Sequence, residues 1–207
     1  MPTIQIFIFV IIIISAVFHE YAHGFIAHRL GDDTAKRAGR LTLNPLAHID
    51  PFGTLILPLF LLLTAGIFIG WAKPVPYNPY NLRDPKYGNL KVAIAGPITN
   101  LIIALVLGLI IRFAGLGLVA GGIISPIFIE LLAFIVYINI FLAIFNLIPF
   151  PPLDGSKIFF DLFPKAARSI IALGSIGIVI ALFIAFFFLS PVANFIFALI
   201  TGINGLF

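Results

Sequence analysis

The sequence predicts an all-α integral membrane protein, and three observations carry that reading. Of 207 residues, 61% are hydrophobic and 10% charged, whereas soluble domains run at roughly half apolar and a quarter charged. Mean hydropathy is +1.19. The apolar residues fall into runs of membrane-spanning length, about five to six of them at ~20 residues each. Little chain is left over for a separate soluble domain, so residues 1–207 read as a single polytopic domain. The net charge of +4 is modest, and its basic residues are spread through the polar loops. That pattern suits anchoring beside a lipid bilayer and gives no sign of nucleic-acid binding. The absence of cysteine excludes disulfides, thiolate metal sites and cysteine nucleophiles.

The first span covers about residues 3–30. Its apolar run from Ile4 to Phe18 is too short to cross a bilayer alone, so the helix must continue through "HEYAHGFIAHRL". The N-terminus has no basic leading region and no small-residue cleavage site, and it reads as a span, not a signal peptide. At ~1.5 Å per residue His19 lies roughly 22 Å from the entry point, about 8 Å short of the far side of a ~30 Å core.

Residues 31–51 are polar and irregular. Residues 52–72 are apolar but interrupted by Pro58 and Gly66. The stretch 73–89, rich in proline and aromatics, reads as an extended loop. Core spans are expected at about 90–113 and 123–148, with glycines between 115 and 122 marking a turn. Residues 169–189 suggest a further span, and 191–207 a short apolar segment.

The chemistry lies in "HEYAH". His19 and His23 stand at i and i+4, on one face of a helix. Two imidazoles so placed can share one Zn²⁺, and the intervening Glu20 can reach a metal-bound water as general base. Ionisable groups at membrane depth are costly and tend to be functional. Hydrogen-bonded core histidines are the bland alternative, which leaves Glu20 hard to bury. A catalytic zinc needs a third protein ligand and an open position. His28 points away, ~140° round the helix from His23. His48, Asp50, Glu130, Asp154 and Asp161 remain. Asp154 closes "NLIPFPPLDG", where prolines must unwind the helix. Either that broken backbone lines a buried site, or Asp154 makes a turn with Gly155 on a surface loop. Residue types alone leave both open.

"HEYAH", "AGPITN" and "FNLIPFPPLDG" together resemble the three hallmark segments of the site-2 protease family of intramembrane zinc metalloproteases. "GRLTLNPLAHIDPFGT" and "GWAKPVPYNP" resemble its small prokaryotic branch without PDZ or CBS domains. The resemblance implies a helical bundle with one Zn²⁺ inside the membrane, His19, His23 and Asp154 as ligands, and Glu20 as general base. Asn146 matches an asparagine near the active centre that holds substrate backbone or oxyanion. Asn100 matches a polar position on the neighbouring core helix. Interhelical hydrogen bonding is the structural alternative for both asparagines. "DGSK" departs from the family, where a second glycine and a basic residue are common, and Lys157 keeps a positive charge nearby.

The implied activity is cleavage of transmembrane segments of other proteins (regulated intramembrane proteolysis) in a prokaryotic cell membrane, with the active site nearer the cytoplasm. The alternative is a catalytically idle relative that binds membrane helices. If Asp154 is to meet the histidines, residues 52–72 can make no net crossing. A re-entrant segment is therefore expected there, with Arg40 and Lys86 on the same side of the membrane.

Overall fold

The computed structural model describes residues 2–65 and 72–204. Every regular element among them is helical. Among the described residues, four helices are long and apolar enough to cross a membrane: Ile4–Arg29, Gly88–Gly115, Pro126–Asn146 and Ile176–Thr201. The all-α membrane reading holds. The chain divides into two units, Ile12–Gly96 and Met1–Ile11 with Pro97–Phe207.

The unit Ile12–Gly96 takes the C-terminal part of α1 (Pro2–Arg29), the short α2 (Thr34–Arg37) and the first turns of α4 (Gly88–Ile110). Ala27, Leu82 and Val92 form its buried apolar centre, flanked by Ile26, Leu30 and Tyr77. Much of the rest is held by polar links. Asp32 is fully buried and accepts from Thr34 Oγ1 at 2.6 Å, the Asn78 N–H at 2.6 Å, Asn81 Nδ2 at 2.9 Å and the Thr34 N–H at 3.2 Å. Burial alone would raise its carboxyl, but these hydrogen bonds outweigh it and hold Asp32 below the usual carboxylate range.

Between the loops lies an apolar excursion. Asp50 caps it, accepting from the N–H groups of Phe52 and Gly53. A π-helical turn, Pro51–Ile56, then leads into α3, Leu57–Ala65. The helix does not break at the expected Pro58. The widened turn before it moves backbone away from a ring that would clash with the carbonyl four residues back. The other expected break, Gly66, lies outside the described residues. The ends of the excursion meet: the Lys73 N–H donates to the His48 carbonyl at 2.9 Å.

The second unit packs the rest of α4 with α6 (Pro126–Asn146) and α10 (Ser190–Thr201). Ala104, Ile111, Ala133, Val136, Ile140, Ala193 and Phe197 form its core. Two expectations need correction here. The helix begun at Gly88 does not end near Phe113. It continues through a π-helical stretch, Ile111–Gly115, and α5, Leu116–Ala120. The separate segments expected at 169–189 and 191–207 are one helical run, α9 (Ser175–Ile184), a π-helical stretch (Ala185–Leu189) and α10. A π-turn again precedes the proline, Pro191, and absorbs it. Residues before that run form the short α7 (Asp154–Leu162) and α8 (Pro164–Ala172).

Candidate metal centre

Because α1 is continuous, His19 and His23 stack one turn apart. Their rings lie 4.7 Å apart, edge to face, and both are buried. His23 Nδ1 donates to the Val92 carbonyl at 2.6 Å. A carbonyl can only accept, so that nitrogen carries the proton and Nε2 keeps its lone pair for a metal. The same two Nε2 atoms crowd Gly96 on α4. A Cβ at Gly96 would lie 2.5 Å from each of them, so only glycine lets the helices come this close. "AGPITN" was legible as a motif, but this role of its glycine was not. The available signal was a helix-interior glycine, which costs roughly 1 kcal/mol against alanine and needs a packing reason.

Glu20 is half-buried and its Oε2 accepts from the Val75 N–H at 2.7 Å. Asp154 is buried and is the first residue of α7, just beyond the non-helical proline stretch. Lys157, one turn on, places Nζ 3.0 Å from Asp154 Oδ1. Of the two readings of Asp154, the buried one is observed.

His19 and His23 lie in one unit and Asp154 in the other, and all three are buried. The other candidates are engaged elsewhere or exposed. His48 Nε2 donates to the Thr42 carbonyl at 2.8 Å, Asp50 caps the π-turn, His28 pairs with Asp33 at 2.6 Å, and Glu130 and Asp161 are exposed. Asn146 is the last residue of α6, and its Nδ2 donates back to the Leu142 carbonyl at 2.9 Å. Asn100 is fully buried on α4.

The chain is 40% identical over 164 residues to the Bacillus subtilis protein named "Putative zinc metalloprotease YwhC", a match covering 79% of this chain and 72% of that one. The chain belongs to peptidase family M50, the site-2 protease family. The model of peptidase family M50 matches residues 111–190, a stretch that holds Asn146 and Asp154. Two further relatives carry the same description. Rip2 of Mycolicibacterium smegmatis is 32% identical over 160 residues, 74% of this chain and 58% of that one. MJ0611 of Methanocaldococcus jannaschii is 32% identical over 162 residues, 76% of this chain and 73% of that one. No solved structure matches the chain.

Proposed function

We propose that this M50 family member is an intramembrane zinc metalloendopeptidase that hydrolyses peptide bonds in or near transmembrane segments of other proteins. The observation that carries the reading is the buried His19–His23 pair, one turn apart on α1 with rings 4.7 Å apart, with Glu20 next in sequence to His19. The donor types fit zinc: two imidazole nitrogens, with Asp154 proposed as the third ligand, would leave a fourth, open position. The zinc in the relatives' names supports the same metal. Zinc held there supplies Lewis acidity toward the scissile carbonyl and makes water acidic enough to attack near neutral pH.

The chain's own groups do the rest. His23 is locked in the ligating tautomer by Val92. Glu20 takes the proton of the attacking water and returns it to the leaving amide nitrogen. Asn146, with Asn100 as a lesser contributor, holds substrate backbone or the carbonyl oxygen as charge develops on it. The buried setting keeps competing water away and strengthens each of these interactions. The catalytic centre is assigned to the side of the membrane shared by the loops around Arg40 and Lys86, the cytoplasmic side by their basic residues. Regulated intramembrane proteolysis is the process such an activity would serve.

The test combines metal analysis with turnover. Wild type and Glu20→Gln should each hold one zinc per chain, and His23→Ala and Asp154→Ala should lose it. Glu20→Gln should lose turnover of a transmembrane peptide by at least about 10³-fold, as expected for the loss of a general base. Full zinc and activity in Asp154→Ala would overturn the ligand set.

A further inference from the structure

The segment "KPVPYN", residues 73–78, is not explained by the ligand set. It carries no regular structure. Pro74 and Pro76 have no N–H, so Val75 supplies the single main-chain donor of this Pro-Val-Pro unit. That donor goes to Glu20 Oε2 at 2.7 Å. The Val75 side chain is buried against Gly24, where an added Cβ would lie 2.9 Å from Val75 Cγ1.

Two charged residues outside the span hold this unit from either end. Upstream, the Arg40 guanidinium donates to the carbonyls of Lys73 at 2.8 Å and Pro74 at 3.2 Å, and also to the Ala47 carbonyl. Downstream, Asp32 accepts from the Asn78 N–H at 2.6 Å and from Asn81 Nδ2 at 2.9 Å. The prolines restrict the backbone between these anchors. The arrangement delivers one N–H, at a fixed place, to one carboxylate oxygen.

We infer that the Val75 amide is a positioning group for Glu20, and that Arg40 and Asp32 are positioning residues that act on Glu20 through it. The inference rests on the reading of Glu20 as general base. A glutamate side chain has several rotatable bonds, and a donor on Oε2 selects one carboxylate orientation. The second oxygen is then directed consistently for proton transfer, which depends on geometry before anything else. Because the anchors touch neither the zinc ligands nor the carboxylate, disturbing them should lower the rate of the chemical step while leaving metal and substrate binding in place.

The experiment uses the full chain, purified in detergent with zinc. The probe is a quenched fluorogenic transmembrane peptide of leucines interrupted by Asn-Pro. Val75→Pro deletes the donor within an already proline-bounded unit, and Val75→Ala keeps it. Val75→Pro should lower kcat by about tenfold or more beyond any effect of Val75→Ala, with KM and zinc affinity by chelator competition within about twofold of wild type. Arg40→Gln, which leaves the Pro-Val-Pro unit itself untouched, should lower kcat about tenfold in the same pattern. Equal kcat for the two Val75 variants, or an Arg40→Gln effect confined to KM or zinc affinity, would overturn the proposal. Full turnover by Glu20→Gln would instead overturn the general-base reading and remove the ground on which the proposal stands.

Discussion

Gly96 on α4 stands so close to His19 on α1 that a single added methyl would lie 2.5 Å from the imidazole Nε2. The same methyl would lie 2.5 Å from His23 Nε2, so it cannot be accommodated by moving one ring. Gly96→Ala should therefore displace together both imidazoles proposed as zinc ligands. Zinc affinity measured by chelator competition should fall by at least about 100-fold, the upper range for losses of supporting residues around a metal. Circular dichroism should show unchanged helicity. Wild-type zinc affinity in this variant would mean that the helices can separate without cost to the ligand pair.

The Asp32 node gives a prediction in stability and pH. Asp32→Asn keeps the shape but turns an NH₂ donor toward donors that had faced a carboxylate acceptor. One buried donor left unmatched costs about 1–3 kcal/mol. Trypsin cleavage after Arg83, in the loop that Asp32 anchors, should accelerate in this variant at neutral pH. The wild-type carboxyl sits below its ordinary range, so its contribution is fully present above ~3.9 and is lost as pH falls through the lowered folded value. Protection of the Arg83 site should thus be flat from about pH 8 to pH 5 as far as Asp32 is concerned, and weaken only in stronger acid. A loop that loosened between pH 7 and 5 would point to a different anchor.

Asn146 separates chemistry from metal binding. It ends α6, eight positions before Asp154, and its amide reaches the Leu142 carbonyl. Asn146→Ala should leave one zinc per chain and lower kcat by about 10²-fold, the scale of one lost oxyanion donor. Asn100→Ala should have a smaller effect. Unchanged turnover in Asn146→Ala would reduce Asn146 to a residue that closes its own helix end.

The helical period made the pair at 19 and 23 legible, because i, i+4 placement is local. The proline break before Asp154 was also legible, but residue types could not say whether that aspartate was buried. Contacts across long sequence separations were not legible at all. The Val75–Glu20 hydrogen bond joins residues 55 apart in sequence, and the approach of Gly96 to the histidines leaves no trace in hydrophobic periodicity. Pro58 misled for another reason. A proline predicts a break only if the turn before it stays α-helical, and Pro58 follows a π-helical stretch that makes room for the ring.

The last prediction concerns sidedness. The loop after α1 and the loop before α4 are bonded to each other at several points. The Arg83 N–H donates to the Leu30 carbonyl at 2.8 Å, the Lys73 N–H to the His48 carbonyl at 2.9 Å, and Arg40 to the Lys73 carbonyl at 2.8 Å. A straight span through residues 49–72 would put its ends ~30 Å apart. The two ends of the excursion instead meet at one hydrogen bond, and the prediction is that the chain makes no net crossing between them. On that prediction eight basic residues, Arg29, Lys36, Arg37, Arg40, Lys73, Arg83, Lys86 and Lys91, should flank one face, the cytoplasmic one by the positive-inside rule. The chain has no cysteine, so single cysteines introduced at positions 36 and 86 can be read without background. An impermeant maleimide should leave both unlabelled in intact cells and label both in inverted vesicles. Labelling from opposite sides would sink the excursion and would require Asp154 to reach the histidines by another route.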